Sequence, residues 1–260
     1  MKVTIFTSNQ PRHLNLTRLM SEISDEVFLI SEVNTLFPGT VDDFFRKSDI
    51  MKEYFSNVIN AEKNIFGEVE FLPKNVNTLS IKSGDLNKLN FNHLKKALSS
   101  DIYIVFGASY IKGWLIDYLL ENKALNIHIG ISPYYRGSSC NFWTLHDHNF
   151  SYVGATIHML GKGLDSGDIL FHSIPLIKEF DTPFDFTMRA VEAAQKGILD
   201  SIKDMSILKM PLIKQNKENE IRYTKNKDFT DEIAEEFMSR KIDLENVRIE
   251  YPKLICPKFI

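Results

Sequence analysis

Two side chains two residues apart, Asn126 and His128, close a short apolar run, Leu125 to His128. On a strand, residues two apart point to the same side. Some forty residues on, Asp165 stands in the glycine-bracketed run Gly163-Leu164-Asp165-Ser166-Gly167, a loop able to bring a carboxylate back to them. An amide donor, an imidazole and a carboxylate that orients it are the parts of a polar acyl-transfer site. Each residue alone has a plainer reading: a core histidine, a strand-end cap, a turn aspartate. Their order and their glycine neighbours favour the chemical reading, with Asp168 as the structural member of the aspartate pair.

Other polar groups point to less. His146, Asp147 and His148 lack zinc-ligand spacing, and no further ligands are evident. His158, Asp165, Asp168 and His172 are explained by alternation along a strand pair, so no metal is predicted. No Gly-x-Gly-x-x-Gly follows the first strand, and there is no Walker A sequence. Ser8 to Arg12 takes the place of a phosphate loop. Arg12 is the one cation there and reads equally as a phosphate partner or as an exposed arginine.

These residues need a frame to hold them. Val3 to Thr7 reads as a buried strand, His13 to Ile23 as a helix and Glu26 to Ser31 as a second strand, which makes a parallel α/β unit. Pro38-Gly39 ends it. Val41 to Phe66 is an amphipathic helical stretch whose aromatics, Phe44, Phe45, Tyr54 and Phe55 among them, either pack on the sheet or wall a cleft. Leu79 to Ile81 and Asp101 to Phe106 are further strands. The turn after the latter, Gly107 to Tyr110, lies where open α/β sheets bind ligands. Helices are predicted over Ile111–Leu120, Asn141–His148 and Thr182–Met205. Val153–Met159 and Ile169–Ile177 form an antiparallel pair around the Asp165 loop. Lys214 to Asp228 reads as a loop or small exposed hairpin, and Phe229 to Ser239 as a helix. The expected fold class is α/β, a twisted, mostly parallel sheet flanked by helices. A catalytic domain over 1–205 is followed by a small segment over 206–260.

Composition sets the outer limits. With 43% hydrophobic and 25% charged residues in 260, the chain can bury a core and is not disordered. A net charge of −3 argues against a basic nucleic-acid face, so no nucleic-acid partner is expected. Two cysteines, Cys140 and Cys256, fit a reducing compartment and not a disulfide framework. There is no signal-peptide pattern at the start and no apolar run of the roughly 20 residues that span a bilayer. A cytoplasmic protein without a membrane partner is expected; its oligomeric state is not legible.

The block Leu125 to Leu170 resembles the active-site region of the 10-formyltetrahydrofolate-dependent formyltransferases. The resemblance lies in Asn126-x-His128, then Pro133-Tyr134-Tyr135-Arg136-Gly137, then Leu164-Asp165-Ser166-Gly167, with the strand Val153 to His158 between them. It implies a Rossmann-like formyltransferase fold, with Asn126, His128 and Asp165 as the catalytic set. It implies 10-formyltetrahydrofolate as formyl donor, its pteridine beside Gly107, Ser109, Tyr110 and Lys112 on one side and Leu160, Gly163 and Leu164 on the other. The loop after the first strand would face the acceptor, through Ser8, Asn9 and Arg12, with Tyr135, Arg136 and Trp143 as further contacts.

Within the family the chain looks most like the enzymes that formylate nucleotide-linked amino sugars for surface glycans. The acceptor is then either a pseudaminic acid-type precursor, to which the N-terminal half inclines, or a dTDP-linked 4-amino-6-deoxyhexose. A methionyl-tRNA formyltransferase, a formyltetrahydrofolate hydrolase and a folate- or sugar-binding module without activity are the rivals.

Overall fold

A computed structural model describes residues 1–41, 47–244 and 250–260. In chain order its elements are β1 (Lys2–Ser8), α1 (Pro11–Glu22), β2 (Glu26–Val33), α2 (Asp49–Phe66), β3 (Val76–Lys82), α3 (Phe91–Leu94), β4 (Ile102–Phe106), α4 (Trp114–Glu121) and β5 (Leu125–His128). There follow β6 (Tyr135–Gly137), α5 (Cys140–His146), β7 (Ala155–Met159), β8 (Ile169–Ile174), α6 (Pro183–Lys203), β9 (Arg222–Thr224), α7 (Asp231–Ser239) and β10 (Lys258–Phe259).

The predicted α/β architecture is present. An eight-stranded sheet runs in the order β10-β8-β7-β5-β4-β1-β2-β3. Pairing is parallel from β3 through β5; β7 then runs antiparallel to β5 and also to β8, the latter as the loop at Asp165 requires. β1 is buried at every position after Lys2, because a central parallel strand is covered on both faces. One face packs on α1, α2 and α6 through Ile5, Leu16, Leu29, Val191 and Ile198. The other packs on α3 and α4 through Phe6, Val105, Leu94 and Leu115. A third cluster joins α2, α5, α6 and α7 around Tyr54, Phe142, Phe186 and Phe237.

Local signals fix several ends. Pro11 opens α1 at a position where its missing N–H costs nothing. Ser48 caps α2 by accepting from the Met51 amide, so that helix begins at Asp49 and not near Val41. Phe44 and Phe45 lie outside the described residues. Thr182 and Asp185 form a reciprocal capping box at the start of α6.

The sequence reading fails most after Met205. The stretch expected to be a loop or an exposed hairpin contains β9, which pairs in parallel with β6, eighty-odd residues earlier. The tail closes back too: β10 pairs in parallel with β8. Lys258 donates to Gly197 O at 3.2 Å and Ser201 Oγ at 2.6 Å on α6.

Candidate active site

β5 carries the polar pair because its pleat sorts the side chains. Leu125 and Ile127 enter the core on the α6 side, so Asn126 and His128 point the other way. They open onto a cleft of about 820 Å3. Its walls come from the end of β1 and start of α1 (Ser8, His13), the turn after β4 (Gly107 to Ile111), α2 (Tyr54, Phe55) and the β7–β8 loop (Leu160 to Asp165). Chain segments leave β1 and β4 on opposite sides of the sheet, so the cleft occupies the switch point where open α/β sheets bind ligands.

On the cleft floor two donors converge on one carboxylate. Asp165 Oδ2 lies 3.3 Å from His128 Nδ1. Asp165 Oδ1 accepts from Asn126 Nδ2 at 3.3 Å. His128 is 6% exposed, and its other nitrogen, Nε2, faces the Tyr135 carbonyl at 3.2 Å, with the Cys140 thiol at 3.5 Å. Both ring nitrogens therefore point at oxygen acceptors. Burial pushes the Cys140 thiol well above its ordinary range, so it stays protonated.

A residue that the sequence suggested only as a metal ligand completes the network. His158 is opposite Asn126 in the β5–β7 register. Its Nδ1 donates to its neighbour's carbonyl, Met159 O, at 2.7 Å. That leaves Nε2 as the lone-pair nitrogen, which accepts from Asn126 Nδ2 at 2.9 Å. Burial lowers the His158 pKa to about 4, against the opposing pull of Asp165, so the ring is neutral. His158 thus sets which way the Asn126 amide faces.

Among the donor-side residues, Gly107, Ser109, Tyr110, Leu160, Gly163 and Leu164 line the cleft. Lys112 does not; its backbone N–H is held by Asn87 Oδ1 at 2.8 Å outside it. Sequence reading missed Glu32, at the end of β2. This buried carboxylate lines the cleft and accepts from the Ser109 amide at 2.6 Å and the Gly84 amide at 2.8 Å, tying two loops together. His13, also missed, is buried against Phe106 and Gly107, and burial holds its pKa well below the usual value.

On the acceptor side Ser8 and Arg12 line the cleft, but Arg12 is paired. Its guanidinium lies 2.9 Å from Glu62 Oε1, which also accepts from the Arg12 backbone N–H at 2.9 Å. A carboxylate from α2 thus fills the N-terminus of α1, the place where Arg12 read equally as a phosphate partner or an exposed arginine. Asn9 turns away to hold the backbone of Asn34 at 2.9 and 3.0 Å.

Three further expected contacts fall outside the cleft. Tyr135 is buried, its hydroxyl bound by Asp147 at 3.1 Å and Asn149 at 2.7 Å. Trp143 is buried with the Arg222 guanidinium 4.5 Å above its ring. Arg136 joins Glu220 at 2.8 Å to the Leu164 carbonyl at 3.0 Å. The physical reason is shared: β9 lies along β6 and covers this stretch. No group of three or more His, Cys, Asp or Glu among the described residues could hold a metal.

The family model for formyl transferase matches residues 1–202. The chain belongs to the formyl transferase family. It is 27% identical over 146 residues to the methionyl-tRNA formyltransferase of Methylacidiphilum infernorum, covering 56% of this chain and 42% of that enzyme. It is 34% identical over 99 residues to the methionyl-tRNA formyltransferase of Finegoldia magna, covering 38% of this chain and 28% of that enzyme. The matches span less than half the length of these curated relatives.

Two solved structures share the fold. A 4-N formyltransferase from Francisella tularensis superposes with a TM-score of 0.56 at 19% identity, covering 95% of this chain and 82% of that one. An N-formyltransferase from Helicobacter canadensis, solved with folinic acid and dTDP-3-aminofucose, gives a TM-score of 0.53 at 17% identity, covering 95% and 76%. Among the described residues no helix is long and apolar enough to cross a membrane.

Proposed function

We propose that this formyltransferase moves a formyl group from 10-formyltetrahydrofolate to the amine of a nucleotide-linked amino sugar. The observation that carries the chemistry is the convergence of Asn126 and His128 on the Asp165 carboxylate. Groups that converge on one carboxylate, each facing a different oxygen, can also donate to an oxyanion seated beside it, and attack on a formyl carbon creates such an oxyanion. Both contacts with Asp165 are 3.3 Å, long for charge-assisted hydrogen bonds, so an incoming oxyanion can displace them.

The acceptor nitrogen bonds to the formyl carbon, the bond from that carbon to N10 of the folate breaks, and tetrahydrofolate leaves with a proton. His128 is a poor candidate to receive the amine proton, because both of its nitrogens face acceptors. Asp165, with free lone pairs, takes it, directly or through water. The oxyanion interaction contributes about 3–4 kcal/mol per donor.

The donor lies between the Gly107–Tyr110 turn and the Leu160–Asp165 loop. At the other end the cleft is walled by Tyr54, Phe55, Phe142, Phe184 and Phe229, flat apolar surface suited to a nucleobase. The dTDP-3-aminofucose in the complex of the Helicobacter canadensis fold neighbour supports the same choice. A tRNA acceptor, suggested by the curated relatives, fits a chain of net charge −3 less well.

The test incubates purified protein with 10-formyltetrahydrofolate and a panel of UDP- and dTDP-linked amino sugars, pseudaminic acid-type precursors included. Mass spectrometry reads a gain of one formyl group. Transfer to one sugar is expected. Formylation of methionyl-tRNA alone would reassign the acceptor, and formate release without acceptor would indicate a hydrolase. The same reaction in a surface glycan pathway implies a cytoplasmic enzyme.

A further inference from the structure

The segment beyond the family match reaches back into the site. Gln215 Nε2 donates both its hydrogens to the loop that carries Asp165, to Asp165 O at 2.8 Å and Gly167 O at 2.8 Å. The chain leading to Gln215 is itself fixed, because Ile213 and Ile169 exchange backbone hydrogen bonds of 2.9 and 2.8 Å. A second strut comes from Glu220 through Arg136 to the Leu164 carbonyl. The carbonyls of residues 164, 165 and 167 are therefore all held by groups belonging to, or tethered to, the segment after residue 202.

That loop needs holding. Asp165 has φ +44°, a left-handed conformation uncommon for a residue with a Cβ, although Asp tolerates it better than most. Outside the ladder strands, the loop's own support within 160–168 is slight: Ser166 Oγ donates to Gly163 O at 2.9 Å. Its Asp165 side chain, meanwhile, must keep two oxygens on two different donors.

We propose that Gln215 is a positioning residue: its amide pins the backbone of the Asp165 loop and so sets the carboxylate against His128 and Asn126. The kinetic part of this inference rests on the catalytic reading of Asp165; the structural part does not. The segment over 206–260 is then part of the active site's construction. A displacement of about 1 Å at a catalytic group can cost about a hundredfold in rate, so loss of the brace should reduce turnover about ten- to a hundredfold.

The experiment compares wild type with Gln215→Ala and with Gln215→Glu, a near-isosteric change that removes the two donors. Asn216→Ala, which loses contacts only within its own turn, is the control. Two readouts run together. Hydrogen–deuterium exchange by mass spectrometry follows peptides covering 160–168. Formyl transfer gives kcat and both KM values, with Asp165→Asn and the Gln215→Ala/Asp165→Asn double variant alongside.

Both Gln215 variants should speed exchange in 160–168 and leave other peptides unchanged. They should lower kcat about ten- to a hundredfold with both KM values nearly unchanged, and the double variant should be no slower than Asp165→Asn alone. A merely structural role would change KM and kcat together and would slow the Asp165→Asn enzyme further. Wild-type exchange in 160–168 in either variant overturns the proposal. Faster exchange with normal kcat also overturns it. If wild type transfers no formyl group to any acceptor while the variants still loosen the loop, the functional reading fails and the brace stands.

Discussion

Glu62 holds Arg12 twice, with one carboxylate oxygen 2.9 Å from both its guanidinium and its backbone N–H. The pair turns the stretch that stands in place of a phosphate loop into a closed contact between α1 and α2. Arg12→Ala is therefore expected to act on stability more than on acceptor binding. Glu62 would be left buried with one fewer partner, at a cost of about 1–3 kcal/mol. Arg12→Ala/Glu62→Gln should regain most of that loss. Urea denaturation of the three proteins measures it; an acceptor KM raised tenfold with stability unchanged would restore Arg12 as a phosphate ligand.

His128→Asn and Asp165→Asn should each lower kcat by roughly two to four orders of magnitude, as expected when an oxyanion donor or the proton acceptor is removed. Melting temperatures should stay close to wild type, because both residues border the cleft. Steady-state kinetics on the acceptor found in the screen provides the check, and near-normal turnover in either variant would dismiss the mechanism.

His158→Leu tests the neighbour of the set. Removing Nε2 leaves one Asn126 hydrogen without an acceptor and frees the amide to rotate. The expected result is a kcat about tenfold lower with both KM values little changed, corresponding to the 1–3 kcal/mol range for an orphaned buried donor, here about 1.4. Equal losses in kcat and in substrate affinity would indicate general disruption of the strand pair instead.

Three buried histidines, His13, His158 and His172, predict the acid limb of stability. Burial lowers both His158 and His172 to about 4, from an ordinary value of 6.5. His172 is neutral and fully bonded: Nε2 donates to Ser132 O at 2.9 Å, and Nδ1 accepts from the Ile255 amide at 3.0 Å. Between the two values the unfolded chain binds protons that the folded chain refuses. Stability is then complete above pH about 6.5 and declines as pH falls toward about 4, by at most about 3 kcal/mol for each of His158 and His172. Denaturation at pH 7.5 and pH 5 should show the drop, and His172→Gln should flatten it. A pH-independent midpoint across this range would contradict the assignment.

What the sequence revealed depended on distance along the chain. Asn126, His128 and the Asp165 loop were legible because strand spacing and bracketing glycines are local. So was the antiparallel pairing of β7 with β8, which a tight loop between two apolar runs dictates; the antiparallel pairing of β7 with β5 was not. The partners that tune these groups were not. Gln215 lies 50 residues from Asp165, and Glu62 lies 50 from Arg12. No periodicity marks such a pairing; only the folded sheet creates it. Tyr135, Arg136 and Trp143 were misplaced for the same reason, since a strand recruited from beyond residue 205 covers them. Gly137 records how close that strand comes: φ is +90°, and a Cβ there would meet Thr224 O at 1.9 Å.

That contact has a consequence for the order of events during synthesis. Domains generally form from the N-terminus as the chain emerges. A nascent chain that has just completed α6 holds every residue of the family match, with Asn126, His128 and Asp165 among them. It still lacks β9, Gln215 and Glu220, so the carboxylate loop has only its contacts with Tyr110, Ala124, Asn126 and His128 to settle against. The bonds from Gln215 and the Glu220–Arg136 strut to the Asp165 loop form only as a late step, after β1 to β8 and α1 to α6 are in place.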